Sequence, residues 1–309
     1  MTWSPSRLPE QRGRVFVVTG GNAGLGYFTA EQLASTGAHV VLASRNMQKA
    51  DAAIRAIRDR VPRASLDRMA VDLSSLESAT AAGAAIAEFD RLDGLVLNAG
   101  ATTGSRSRLE TDDGLEAILA GNYIGHFALT AAAWPILART PESRLVGLGS
   151  LATEIVPLDP ADLLSERRFG FFRAYAFSKH AIHGFVLELD RRARAAGAGV
   201  SGILAHPGYA IDGLSPLRTG VVERSAAERA YGASIALAAQ GKNRGAAPTV
   251  RALLDPTVVG GEFVGPEFLT RGRPVLQEPV ASSASPEFGA YLWQQSELWT
   301  GVRFDVTAR

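Results

Sequence analysis

Cysteine is missing from the 309-residue chain altogether. That excludes disulfides, thiolate nucleophiles and cysteine-held metal, and it is compatible with a reducing cytosol. Charge of one sign is missing too, since 32 Lys and Arg meet 31 Asp and Glu for a formal net charge of +1. No strong field therefore advertises nucleic acid or an anionic membrane. No apolar run approaches the ~20 residues of a membrane span, and the opening stretch, with Pro5 and Pro9 among polar residues, holds no apolar signal core. Internal repeats and low-complexity runs are absent as well. The expectation is a soluble, cytoplasmic protein acting on a small molecule, with self-association left open and any chemistry resting on individually placed residues. What the chain does have is 46% hydrophobic content, enough for one large α/β domain with a sizeable core.

The most informative stretch runs from Val15 to Ser35. Four consecutive apolar residues, Val15 to Val18, suit a strand buried on both faces, as in a parallel sheet with helices above and below. A glycine-rich turn follows, in which Gly20, Gly24 and Gly26 permit backbone geometry and close approach that a Cβ would obstruct. The next helix, with Leu25, Phe28, Thr29 and Leu33 near one face and Gly37 at its end, brings unpaired N–H groups and a positive dipole end to the same place. That place suits a pyrophosphate; the plain alternative is a tight turn. The spacing Thr19-Gly-x-x-x-Gly-x-Gly differs from the Gly-x-Gly-x-x-Gly of other dinucleotide folds and resembles the short-chain dehydrogenase/reductase family. The resemblance implies a cofactor loop made of Thr19, Gly20, Asn22, Gly24, Leu25 and Gly26.

Residues 1–12 read as an arm before the first strand, and residues 13–309 as a single domain with a lid at about 207–224 and an extension at about 267–309. The second strand, His39 to Ala43, exits into Ser44-Arg45-Asn46. An NAD-preferring site usually has an acid ~20 residues past the glycines, and none stands here. Arg45 can fork onto a 2′-phosphate, which points to NADP(H) over NAD(H); otherwise it is a solvent-facing arginine at a strand exit. A helix from Met47 to Arg60 and a third strand from Ala64 to Ala70 lead to Asp72-Leu73. The resemblance sets this pair against the adenine, with Asp72 on its exocyclic amine, while helix N-capping before Leu76 is the ordinary reading. After an alanine-rich helix at 75–89, the strand Leu95-Val96-Leu97 ends in Asn98-Ala99-Gly100, which resembles the family's Asn-Ala-Gly beside the nucleotide ribose or is a strand-end turn.

Leu115, Ile118, Leu119 and Asn122 fall at helical spacing, so an asparagine lies on an apolar stripe and needs partners. Asn122-Tyr-Ile-Gly125 resembles the family's Asn-x-x-Gly, whose Asn perturbs the helix and holds a relay water; a structural amide is the alternative. A fifth strand, Leu145 to Leu148, delivers Ser150. The next 25 positions to Tyr175 include a short helical reading at 160–166 and form a longer insertion than the family usually has. This resembles the subgroup of retinol dehydrogenases and protochlorophyllide reductases. Tyr175-Ala-Phe-Ser178-Lys179 matches the family's Tyr-x-x-Ser-Lys on a helix from Phe172 to Ala196, whose positions 175, 179 and 182 share the inward face. His180 and His183 are one turn apart with no third ligand placed, so they read as helix-surface or packing residues and no metal is expected.

A sixth strand, Val200 to Ala205, ends in His206-Pro207-Gly208-Tyr209 and a glycine- and proline-rich stretch to Gly220 that reads as a mobile lid. Helices at 225–240 and 246–254, a last short strand at Gly261–Pro266, and a tail with Leu292, Trp293, Leu298 and Trp299 near helical spacing complete the chain. Alternating strands and helices imply a doubly wound parallel sheet of Rossmann type, with the site beyond the strands' C-terminal ends.

By resemblance, Tyr175 is the general acid or base, Lys179 favours phenolate and binds the nicotinamide ribose, Ser150 donates to the carbonyl oxygen, and Asn122 completes the relay. Pro207 and Gly208 border the cofactor. Where related sequences have a threonine, this chain has Asp212. A carboxylate there can accept from the nicotinamide amide, repel the pyrophosphate, or swing outward as a solvated turn residue. The apolar insertion (Leu151, Ile155, Val156, Leu158, Phe169, Phe171, Phe172) and lid (Tyr209, Leu214, Leu217) point to a lipophilic substrate, unless they only pack the insertion onto the sheet. The rival readings are a catalytically silent NADP(H)-binding sensor and a methyltransferase on a related fold. The tetrad of Asn122, Ser150, Tyr175 and Lys179 argues against both. The protochlorophyllide branch, whose resemblance includes a functional cysteine, is disfavoured because this chain has none.

Overall fold

The alternation of buried faces in β1 shows how the sheet is built. In the computed structural model, which describes residues 3–101 and 104–307, β1 spans Val15–Thr19. Its period-2 geometry sends Phe16 and Val18 into one hydrophobic cluster and Val17 into the other. Both faces are covered, so the strand reads as an unbroken apolar run. Each such side chain contributes about 1.5–3 kcal/mol by leaving water.

The chain continues through α1 (Gly24–Ser35), β2 (His39–Ser44), α2 (Met47–Arg60), β3 (Ser65–Ala70), α3 (Leu76–Ala87) and β4 (Gly94–Leu97). Then come α4 (Ala117–Leu119), a π-helical turn (Ala120–Ile124), α5 (Gly125–Arg139), β5 (Arg144–Leu148), α6 (Ala152–Ile155), α7 (Phe171–Ala195) and β6 (Ser201–Ala205). The last third holds β7 (Ala210–Ile211), α8 (Ala226–Ser234), β8 (Gln240–Gly241), α9 (Lys242–Gly245), α10 (Ala247–Leu254), β9 (Phe263–Pro266), β10 (Pro274–Gln277), α11 (Ala281–Ala284) and α12 (Pro286–Thr300). Eight strands form one sheet in the order β10-β9-β6-β5-β4-β1-β2-β3, and β7 pairs with β8 apart from it. Only β10 runs antiparallel to its neighbour in the large sheet. The winding reverses between β1 and β4, opening a crevice at their C-terminal ends, where ligands of such sheets bind.

Two packings place the site. Helix α7 lies close on β5 because Gly147 is bare: a Cβ there would stand 2.7 Å from Val186 Cγ2 and 2.9 Å from Ile182 Cγ2. Beside this contact, Phe185, Phe127, Trp293 and Phe304 form an aromatic cluster, with Trp293 and Phe304 stacked at 4.7 Å between centroids. The C-terminal helix thus backs the helix that carries Tyr175 and Lys179.

The sequence reading needs several corrections. Leu115 precedes the helix, because Glu116 caps Ile118 and Leu119 with its carboxylate. The 160–166 helix shrinks to a 3-10 turn over Pro160–Asp162, since Asp162 turns inward to the Arg167 amide and the Arg173 guanidinium. The 225–240 helix stops at Ser234, and Gln240 instead pairs with Ala210. Gly261–Pro266 is not the last strand, as β10 follows it and is held by Gln277. His180 and His183 are both buried, so packing describes them and helix surface does not. In the tail Leu292 and Trp293 are buried, whereas Leu298 is 74% exposed. The presumed lid is tethered to α1 by a two-pronged Arg218–Glu31 ion pair, with N–O distances of 2.5 and 2.7 Å. Among the described residues no helix is long and apolar enough to cross a membrane.

Candidate active site

The glycine loop is pinned from beneath by Thr19. Its buried hydroxyl accepts from the Asn98 and Ala99 amides at 2.9 and 3.0 Å and lies 3.0 Å from the Val96 carbonyl. The Asn98 side chain donates to the Thr19 carbonyl at 2.6 Å. Thr19 therefore shapes the loop from inside, and Asn98-Ala99-Gly100 is drawn against it. Gly20 and Gly24 take φ of +65° and +58°, and a Cβ on Gly26 would stand 2.3 Å from the Gly20 oxygen and 2.4 Å from Asn98 Nδ2. The loop cannot close with larger residues at those positions.

Helix α1 begins here at Ala23 without a side-chain cap and with no acid in its first turn. Among the other helices α2, α3, α8 and α12 are capped by Asn46, Ser75, Ser225 and Ser285, whereas α5, α7 and α10 also lack a side-chain cap. The free N–H groups and dipole of α1 thus face the cradle, an arrangement that fits an anionic group. Asn22, Gly24 and Leu25 are half-buried along the same turn.

At the C-terminal end of β2, Arg45 is 71% exposed, with Nη1 3.9 Å from Asp72 Oδ1. Ser44 is buried and its hydroxyl accepts the Asn46 amide at 3.2 Å. Asp72 does not cap α3, which Ser75 does; its Oδ1 instead accepts the Ser74 amide at 2.9 Å. Leu73 belongs to the core, so its side chain packs inward.

The tetrad converges beyond β4 and β5. Asn122 sits in the π-helical turn, its Oδ1 accepting the Ala101 amide at 2.7 Å and its Nδ2 donating to Ser178 Oγ at 3.0 Å. Its side chain is spent on structure, while its backbone oxygen faces His126 Nδ1 at 3.0 Å. Lys179 Nζ donates to the Leu148 carbonyl at 2.8 Å and stands 5.8 Å from the centroid of the Tyr175 ring. Ser150 Oγ accepts the Ala152 amide at 3.2 Å and lies beside the phenol. Phe171 stacks on Tyr175 with 6.5 Å between centroids.

Burial governs the electrostatics. It lowers the Lys179 ammonium to about 8, so the residue stays cationic at neutral pH. It raises Tyr175 above its ordinary value, with the Ser150 hydrogen bond working the other way. Desolvation outweighs the Ser150 hydrogen bond, and Tyr175 holds its proton.

Pro207 and Gly208 follow β6, where the Pro207 carbonyl accepts Gln240 Nε2 at 2.8 Å. Asp212 is neither bare beside the cradle nor free in solvent, because its Oδ2 accepts from Lys242 Nζ at 2.6 Å. Lys242 and His126 were not singled out by the sequence. No motif marks a lone lysine in a polar stretch, although His126, four residues past Asn122, could have been found by helical spacing. Among the described residues no group of three or more His, Asp or Glu is set to hold a metal.

Comparisons with known proteins bear on the family and the fold. The family model described as short chain dehydrogenase matches residues 14–211. Polyprenol dehydrogenase of Mus musculus is 33% identical over 96% of this chain and 87% of its own length. Retinol dehydrogenase 13 of Homo sapiens is 36% identical over 64% of this chain, and the match spans only 59% of that relative. The crystal structure of an uncharacterized protein from Mycobacterium Paratuberculosis superposes with a TM-score of 0.79 at 30% identity, covering 98% of this chain and 99% of that one. Solved structures that share the fold at 20–24% identity include NADP complexes.

Proposed function

The chain belongs to the short-chain dehydrogenase family, and on that premise we propose that it is an NADP(H)-dependent oxidoreductase interconverting a carbonyl and an alcohol on a lipophilic small molecule. The observation that carries the reading is the meeting of Ser150, Tyr175 and Lys179 beside a glycine cradle whose helix N-terminus has no side-chain cap. Gly20, Gly24, Gly26 and the first turn of α1 would hold the diphosphate. Arg45 would take the 2′-phosphate, Asp72 and the Asn98–Gly100 turn the adenosine side, and Lys179 the nicotinamide ribose. When bound, the cofactor supplies or accepts the hydride.

The protein's own part is the proton. Because burial keeps Tyr175 protonated, its hydroxyl is ready to donate to a carbonyl oxygen as negative charge gathers there. Ser150, beside it, can donate to the same oxygen and hold it in line. Lys179 supplies fixed positive charge that favours the phenolate left after transfer. In the alcohol-oxidising direction the same phenol must first lose its proton, which the raised value disfavours.

Support for a lipophilic substrate comes from the stacked Phe171 over Tyr175 and from relatives named for retinol and polyprenol. Part of the presumed apolar wall serves the core instead, since Val156 and Leu158 pack against it, whereas Ile155 and Phe172 are 67% and 48% exposed. The test is a survey of carbonyls with NADPH and alcohols with NADP, followed at the nicotinamide absorbance. Bulky apolar aldehydes and ketones should turn over fastest. Faster turnover of small charged keto acids would contradict the substrate class, and no turnover of any carbonyl or alcohol, with NADPH still bound, would favour a silent sensor.

A further inference from the structure

Lys242 occupies a position that the family motifs do not account for. Its ammonium stands 3.5 Å from where a Cβ on Gly24 would lie, directly over the uncapped start of α1. Three contacts fix it there. The Asp212 carboxylate accepts from Nζ at 2.6 Å, Ser215 Oγ accepts the Lys242 amide at 2.8 Å, and Gln32 on α1 donates to the neighbouring Asn243 carbonyl at 2.9 Å. The β7–β8 pairing, Ala210 with Gln240 and Ile211 with Gly241, carries the two charged residues together. The lysine side chain is 23% exposed and the aspartate 44%, so both remain partly accessible.

A carboxylate placed alone beside a diphosphate would repel it. Here the ammonium stands between that carboxylate and the loop, has three donors, and spends one on Asp212. We propose that Lys242 is a ligand of the cofactor diphosphate, oriented over the glycine loop by Asp212, and that the Asp212–Lys242 pair replaces a neutral hydroxyl donor at this point of the lid. The proposal rests on the cofactor reading above. It separates the two cationic contacts of the crevice by role: Arg45 reads the 2′-phosphate, whereas Lys242 serves NADPH and NADH alike.

The experiment titrates NADPH, NADH and adenosine 2′-monophosphate, which lacks the diphosphate, into the parent protein, Lys242→Met, Lys242→Arg and Asp212→Asn at low and high salt. A charge-assisted contact to phosphate corresponds to roughly 10- to 100-fold in affinity. Lys242→Met should lose that factor for NADPH and NADH equally, lose less of it at high salt, and bind adenosine 2′-monophosphate within about twofold of the parent. Lys242→Arg should recover most of the loss. Asp212→Asn should bind at least as tightly as the parent, since its amide oxygen can still accept from Lys242 Nζ and orient it while the competing anion is gone.

Unchanged NADPH affinity in Lys242→Met would overturn the proposal, as would a loss confined to NADPH or shared by adenosine 2′-monophosphate. Equal losses in Lys242→Met and Asp212→Asn would show a latch that closes the lid without touching phosphate, and would overturn it as well. Failure of the parent itself to bind any of the three nucleotides would instead remove the cofactor reading on which the proposal stands.

Discussion

His126 Nε2 lies 2.9 Å from Thr19 Oγ1 and joins helix α5 to the end of β1. Its other nitrogen, Nδ1, is 3.0 Å from the Asn122 carbonyl, which can only accept, so Nδ1 carries the proton and Nε2 is left as an acceptor. One imidazole thereby links the residue that pins the glycine loop to the one that distorts the helix of the tetrad. Burial favours the neutral ring, holding His126 at about 4.

His183 carries the same condition further. It is fully buried, neither ring nitrogen has a hydrogen-bond partner, and burial lowers it to about 3. Both histidines have folded values below the ~6.5 of an unfolded chain, so the unfolded state takes up protons first as pH falls. Stability is thus fully present above about 6.5 and declines through the acid range. Urea unfolding at pH 7 and pH 5 should show the decline, and His183→Leu should flatten it. An identical pH dependence in the variant would contradict the assignment.

Lys179 has the same sign of dependence in an alkaline window. Its folded value of about 8 lies below the ~10.4 of an unfolded lysine, so between these values the unfolded state binds more protons and stability rises with pH. At neutral pH the buried ammonium costs on the order of 3 kcal/mol, against which the lost Leu148 hydrogen bond is worth ~1–3 kcal/mol. Lys179→Met should therefore melt no lower than the parent at pH 7, lose the rise between pH 8 and 9.5, and lose turnover. A variant that melts well below the parent would show that the lysine is structural.

Arg45 is held only loosely by Asp72, at 3.9 Å, so little competes with a phosphate for its guanidinium. Arg45→Ala should weaken NADPH by roughly 10- to 100-fold, the worth of a charge-assisted pair, and NADH far less. Equal losses would show that another group selects the cofactor.

The parts that depend on local periodicity were legible in the sequence. Val15 to Val18 is apolar because both faces of β1 are covered, and Tyr175 and Lys179 share the inward face because helix geometry places them four apart. The sequence does not show how burial changes ionisation, because the desolvation that raises Tyr175 depends on everything packed around it. Contacts between distant segments were equally hidden. Lys242 and Asp212 stand 30 residues apart, and only the pairing of β7 with β8 brings them together. The helix ends at Ser234 for a related reason, since the alanine content of 225–240 favours helix while Gln240 is claimed by a strand partner.

The most direct test of the account is Tyr175→Phe, read by turnover of a carbonyl substrate and by NADPH titration on the same protein. The phenol is assigned the proton and no contact to the cofactor. Its removal should cut turnover by about 10²–10⁴-fold, the usual worth of a general acid, while NADPH affinity stays nearly that of the parent. Turnover within about tenfold of the parent would contradict Tyr175 as the proton donor and with it the assigned mechanism.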